Sequence, residues 1–402
     1  MRRFSFRQSV GVIASVAVVT TLGACSSNAP HPPAAALNAG CSTSVAAGRL
    51  LPAERPVTMS TPGHPTAVVG TADGKWAFAS ISTGTGGEIA VISLGRQKPR
   101  LVRTVGLPGS LTNAFGMAMT HNGRLLLVAG YSATAVLRVS ALEDGGHDPL
   151  VGVLSDAGAG QFEVAVSSDD RYVFVTDETT GGLSVFDLAT ALRHGFSAAG
   201  VAVGIVPLAT GAVGVAMSPG GGRLYVTTYG AAGPHGRLWL IDTTRAESGA
   251  DGGAVLGSVP AGCQPVRVAV SPDGSTAWVT ALQSNELLGF SAAALRDDPA
   301  HALRAAVRVG SEPVGLLLVD DGRRALVANS NRGLVLGTGS SVPQTVSVVS
   351  TALALARRPA LLGAVPAGLF PRDLSLDQAT GRVMLGSFNS GTLEEFPVPT
   401  GR

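Results

Sequence analysis

Glu163, Arg267 and Asp373 stand at one and the same position in three copies of a phrase that this chain repeats seven times. The other four copies carry Ala67, Gly116, Gly214 and Gly315 there. Three residues upstream, a second column reads His64, Asn113, Gly160, Gly211, Gln264, Glu312 and Phe370. If the copies are related by symmetry, the residues of one column converge. Carboxylates and a guanidinium brought together can neutralise one another, because buried charges are normally paired. The alternative is that Glu163, Arg267 and Asp373, with His64, Asn113, Gln264 and Glu312, form a site for a small polar ligand or for a partner protein's side chain.

Other chemistries have little support. No Gly-x-Ser-x-Gly occurs, so the nucleophile elbow of α/β-hydrolases is absent. There is no Cys-x-x-Cys-His for covalent haem attachment. The histidines at 31, 64, 121, 147, 194, 235 and 301 are scattered, and none pairs at metal-ligand spacing. Gly333-Leu-Val-Leu-Gly-Thr-Gly339 is glycine-rich but leads into a strand. It lacks the helix N-terminus that cradles a phosphate, so a loop is expected there. Neither a metal nor a cofactor is implied.

The repeated phrase must position these groups. Its clearest copy is Pro265-Val-Arg-Val-Ala-Val-Ser-Pro-Asp-Gly-Ser-Thr-Ala-Trp-Val-Thr280, and the others begin at 65, 114, 161, 212, 313 and 371. Two short apolar runs flank Asp-Gly, Asn-Gly, Gly-Gly or Asp-Asp, the pattern of a β-hairpin. A third strand follows each copy, as at Leu238-Trp-Leu-Ile-Asp242, and then a fourth, as at Ala254-Val-Leu-Gly-Ser-Val259. Four strands per unit, at a period of roughly 50 residues, describe a blade of a β-propeller. The expected fold is therefore all-β: a seven-bladed propeller of four-stranded antiparallel blades spanning 56–402. The seventh copy lacks a fourth strand, and Pro56-Val-Thr-Met-Ser60 is the obvious donor. An N-terminal strand in that place removes an open sheet edge. Both residue columns then fall at the mouth of the central channel. The long inserts Tyr229 to Gly236 and Ser330 to Gln344 belong to the same face.

Ahead of the repeats, Arg2, Arg3 and Arg7 precede an apolar run from Val10 to Leu22. This is the layout of a secretory signal peptide over 1–24, and the run is short for a membrane span. Leu22-Gly-Ala-Cys25 resembles the lipobox of bacterial lipoproteins, which implies that Cys25 becomes the lipidated (palmitate-bearing) first residue. Residues 25–55, rich in Ala, Pro, Ser and Gly, are expected to be a disordered tether to the membrane. The expected location is the extracytoplasmic face of the cell envelope. Loss of three arginines with the signal takes the formal charge of +2 to −1. No basic block remains for nucleic acid. The two other cysteines, Cys41 and Cys263, are candidates for a disulfide outside the cytoplasm.

Arg223-Leu-Tyr-Val-Thr-Thr228 and Arg171-Tyr-Val-Phe-Val-Thr-Asp177, each behind a Ser-Pro-Gly or Ser-Ser-Asp turn, resemble the YVTN repeat. So do Ser271-Pro-Asp-Gly274 and the Pro-x-x-Val-Ala-Val strands. That family comprises bacterial extracytoplasmic seven-bladed propellers and overlaps the lactonase-like propellers related to 6-phosphogluconolactonase. No copy here contains the full Tyr-Val-Thr-Asn tetrad. The resemblance implies a monomeric envelope lipoprotein that binds a ligand or an envelope protein through its channel mouth. Its alternative implication is a lactonase, for which Glu163, His64 and Arg267 could supply acid–base groups and a cation. Calcium-assisted hydrolysis would have to draw on Glu163, Glu312 and Asn113.

Overall fold

The computed structural model describes residues 37–400, apart from 38, 42, 43, 47, 95–97, 110, 112, 147, 231–234, 250 and 336–343. The signal segment and Cys25 lie outside the described residues. The repeats form seven four-stranded antiparallel sheets. Their innermost strands are His64–Gly70, Met117–Met119, Gln161–Val166, Ala212–Met217, Pro265–Val270, Pro313–Val319 and Pro371–Asp377. Each touches the next, and the seventh returns to the first, so the sheets close into a ring. The seventh sheet is completed by Val57–Ser60, which pairs antiparallel with Thr392–Pro397. Apolar clusters fill the spaces between successive blades, with Phe78, Phe174, Trp278 and Phe290 among the fully buried side chains.

Local chemistry explains the recurring phrase. In the turns, a hydroxyl two residues ahead of Asp or Asn does two things at once. Ser167 Oγ donates to Asp169 Oδ1 (2.6 Å) and accepts from the Tyr172 amide (2.8 Å). Thr71 with Asp73 and Thr120 with Asn122 repeat the arrangement. The left-handed position of the turn falls to Gly74, Gly123 and Gly274, and to Asp170 in the third copy.

The Thr of the Val-Thr pair has a different task. Most inner strands carry a bulge just past the Pro-like residue, which takes a backbone amide out of the ladder. The amides of Ala67, Glu163 and Arg267 donate instead to the hydroxyls of Ser80, Thr176 and Thr280 at 3.0–3.1 Å. Ser80 and Thr280 also donate to a carbonyl of the following blade, that of Phe115 (2.6 Å) and Val314 (2.9 Å), and Thr227 donates to that of Val266 (2.7 Å). One side chain thus satisfies a bulge and joins two blades. The same proximity explains the small residues of the column. A Cβ on Gly116 would lie 2.7 Å from the Phe162 carbonyl oxygen, and one on Gly315 2.7 Å from that of Arg372.

The tether expectation for 25–55 needs correction over its second half. From Leu37 onward the chain belongs to the same compact unit as the blades. Ala39 and Leu51 are buried in inter-blade clusters. The Ala46 amide donates to Val309 of the fifth blade (2.8 Å), and Leu51 and Arg49 bond the main chain of Ala364 in the sixth (both 2.9 Å). Isolated apolar residues on an irregular strand of chain do this, so no periodicity announces it.

Candidate functional site

A cavity of about 570 Å³ opens at the channel mouth, a volume that suits a small organic ligand. Only Gln264 and Phe370 of the two columns singled out from the sequence belong to its wall; most of the wall comes from elsewhere. Its largest share is the column between them: Phe115, Phe162, Val213, Val266, Val314 and Arg372, each directly after the Pro-like residue. The bulge turns this residue toward the axis and sends the next one into the joint between blades. Phe370, Phe388, Tyr229 and Leu282 extend the apolar wall, while Gln264, Glu178, Arg332 and Asn389 supply polar rim. The signal was in the repeats: one arginine in a column otherwise made of hydrophobic residues and Thr66.

Arg372 is the distinctive group. Its guanidinium lies 5.6 Å from the Phe162 ring, 5.7 Å from Phe370 and 5.3 Å from Phe388. Three aromatic faces hold it by cation–π attraction, each on the order of 1 kcal/mol. Its Nε is buried without a hydrogen-bond acceptor, and no carboxylate is within ion-pair distance of it among the described residues. Burial, with Arg267 and Arg332 nearby, pulls its pKa down to about 10, so it is charged at neutral pH. It is enclosed by protein yet partly open to the channel.

Beside it, Arg267 Nη2 meets Glu163 Oε2 at 2.9 Å, joining blades five and three across the fourth. Both side chains keep only a little contact with the channel, 10% and 15% of their surface. Burial pushes the Glu163 carboxyl up to about 7, opposed by Arg267 and reinforced by Asp373. Asp373 does not complete a triangle. Its Oδ2 accepts from the Val68 amide (2.9 Å) instead, and burial raises its pKa against the pull of Arg267. Two arginines and two carboxylates therefore share the channel as one direct pair, one carboxylate held by backbone, and one arginine facing open space.

The upstream column has a conformational role as well. Gly160, Gly211, Gln264, Glu312 and Phe370 all sit at positive φ, where the backbone must turn into the inner strand. Gln264 lines the cavity. The Glu312 carboxylate is occupied by the Gly333 amide (2.6 Å). That amide belongs to a single helical turn, Arg332–Val335, where a loop was expected, and Arg332 stands at the cavity rim. His64 stacks on Phe388 with ring centroids 4.6 Å apart, and its Nδ1 lies 2.8 Å from the Phe388 carbonyl oxygen. Asn113 is half-buried at the joint between blades one and two and is not part of the cavity wall. Cys41 and Cys263 are bonded to each other. A second cavity, of about 590 Å³, involves Arg124, Glu143, Val151 and Leu192 and includes no residue of these columns.

No family model and no curated protein matches the sequence. Solved structures with the same architecture are numerous. A chain of hydrazine synthase from Kuenenia stuttgartiensis superposes with a TM-score of 0.65 at 15% identity, over 85% of this chain and 96% of that one. The β-propeller domain of Cps50 (Swd1) from Myceliophteria thermophila gives 0.63 at 12% identity, over 86% of this chain and 100% of that one. At such identities the likeness establishes the seven-bladed propeller and nothing about chemistry.

Proposed function

We propose that this protein is a lipid-anchored binding module of the cell envelope, of the YVTN-repeat type, whose channel mouth takes a small organic anion with an apolar or aromatic body. The observation that carries this reading is Arg372: a charged guanidinium at the wall of an aromatic cavity, with a buried Nε that nothing accepts from. Buried charge without a partner is costly, and a carboxylate entering the cavity would supply both the charge and the acceptors. The phenyl rings around it match the rest of such a ligand. A carboxylate presented by an envelope protein would meet the same chemistry.

Calorimetric titration with phenylacetate, benzoate and 4-methylvalerate, each against its neutral amide, tests this. An acid is expected to bind and its amide to bind at least tenfold more weakly. Arg372→Met should lose about 2–5 kcal/mol of that binding with the fold intact. Equal binding of acid and amide, or an unchanged affinity in Arg372→Met, would falsify the anion site. The anchor is tested separately: palmitate labelling should disappear in Cys25→Ala.

The lactonase alternative has one observation in its favour, a Glu163 carboxyl held near 7 beside a guanidinium. The remaining groups argue the other way. Arg267 is engaged by Glu163, and His64 contacts the Phe388 carbonyl. A pH-drift assay over five- and six-membered lactones should show no turnover above background; turnover abolished in Glu163→Gln would reverse this assignment.

A further inference from the structure

Cys41, His235 and Cys263 meet on the rim of the same face, between the fourth and fifth blades. Cys263 is buried in the loop that enters the fifth inner strand, one residue ahead of Gln264 in the cavity wall. His235 is exposed on the loop joining Arg223–Thr228 to Arg237–Asp242, and Cys41 is exposed on the N-terminal segment. Each sulfur lies 4.0 Å from His235 Nδ1, and the three ligand atoms all fall within 4.8 Å of one another. No pair among 41, 235 and 263 has metal-ligand spacing in sequence, so only the fold assembles this set.

The cysteines are joined in this structure, and a bridge alone would account for them. It does not account for an imidazole nitrogen placed equally close to both sulfurs. Nor is the bridge the only thing holding the two segments together. The Ser284 hydroxyl accepts from the Cys263 amide (2.8 Å) and donates to the carbonyl of Gly40, the neighbour of Cys41 (2.9 Å). Ala39 is buried beside them. None of these contacts runs through the S–S bond.

We propose that Cys41, Cys263 and His235 form a redox-gated cation site. Oxidised, it is closed as a disulfide; reduced, it presents two thiolates and one imidazole to a single thiophilic d¹⁰ cation such as Zn²⁺. Bonds of about 2.3 Å to sulfur and 2.0–2.1 Å to nitrogen in a tetrahedron require roughly 3.6 Å between sulfur and nitrogen and 3.8 Å between sulfurs. The sulfur–nitrogen spacing is already within a few tenths of this, and the sulfurs have to part by about 2 Å from bonding distance. The exposed Cys41 can make that movement. An external dithiol or phosphine supplies two electrons, and with two protons the S–S bond becomes two thiols. The cation then displaces both thiol protons and takes the His235 Nδ1 lone pair, leaving a fourth position for water.

The full mature chain, reduced with a phosphine and desalted without oxygen, is titrated with Co²⁺ and then Zn²⁺. One Co²⁺ per chain is expected, with thiolate-to-cobalt charge-transfer absorption that Zn²⁺ abolishes; the oxidised chain shows none. His235→Ala keeps the bridge in the oxidised chain and, once reduced, should bind Zn²⁺ at least about tenfold more weakly. Cys41→Ser with Cys263→Ser should abolish the absorption. A reduced chain without the charge-transfer band, or with unchanged affinity in His235→Ala, makes the pair a plain structural bridge. Loss of the far-ultraviolet β signal on reduction equally overturns the gate.

Discussion

The two ends of an inner strand satisfy their polar groups in opposite ways. At the turn end, Ser167, Asp169 and the Tyr172 amide close a circuit within six residues, and Thr71 with Asp73 and Thr120 with Asn122 do the same. At the mouth end, partners come from other blades: Glu163 from Arg267, Asp373 from the Val68 amide, Thr280 from the Val314 carbonyl. Arg372 Nε finds none. The turn end closes mostly on itself and builds a blade, although Asp170 also accepts from the His121 and Asn122 amides of the preceding blade (2.6 and 2.9 Å). The mouth end cannot be satisfied until the ring has closed, and it is there that an unmet charge is left facing the cavity.

The largest losses of stability are expected at the mouth. Arg267→Met leaves Glu163 buried without its cation and should cost about 3–5 kcal/mol in urea unfolding at pH 8. At pH 5 Glu163 holds a proton, so the loss should shrink markedly. An equal loss at both pH values would mean that the pair is not what stabilises the joint.

The wild-type chain should show a related trend. Burial raises the carboxyls of Glu163 and Asp177 from 4.5 and 3.8 to about 7. Between these limits the folded chain binds protons that the unfolded chain lacks. Their contribution is therefore most favourable on the acid side and is lost as pH rises toward 7. The urea midpoint is expected to be lower at pH 8 than at pH 5, and Glu163→Gln should flatten part of that difference. A midpoint that rises with pH across this window would show that other groups dominate.

Smaller effects sharpen the contrast. Thr280→Val leaves the Arg267 amide and the Val314 carbonyl without their shared hydroxyl, for about 1–3 kcal/mol. Ser271→Ala at a turn should cost about 1 kcal/mol. Ser167→Ala combined with Ser271→Ala should add to within about 0.5 kcal/mol, because the two turns belong to the third and fifth blades, which are not neighbours. Strong coupling between those two turns, measured as a double-mutant cycle, would erase the distinction between the ends.

Much of the fold was legible because its causes are local. Hydroxyl–Asp/Asn–Gly turns, alternating apolar strands and the missing fourth strand of the last copy can be read a few residues at a time. The site was legible only in part. Glu163 and Arg267 were recognisable as exceptions in their column, and they do meet. Asp373, from the same column, instead accepts a backbone amide of the first blade. The wall residues Phe115 and Phe162 were missed because hydrophobic residues after a Pro-like position read as core, and Arg372 because it shares their column. On a bulged strand, a one-residue step decides which side a residue faces. Ala39 and Leu51 pack on the blades without any pattern that would announce it.

By itself, the sequence determined the number of blades, the strands in each and the segment that closes the ring, since those follow from turns and periodicity repeated seven times. The tertiary structure decided which charges are paired, which one is left facing the cavity, and that Cys41, His235 and Cys263 share a rim. The physical reason is range. Turns and pleats are settled by bonds within a few residues, whereas channel electrostatics depends on side chains up to 210 positions apart, as for Glu163 and Asp373, brought together only by ring closure.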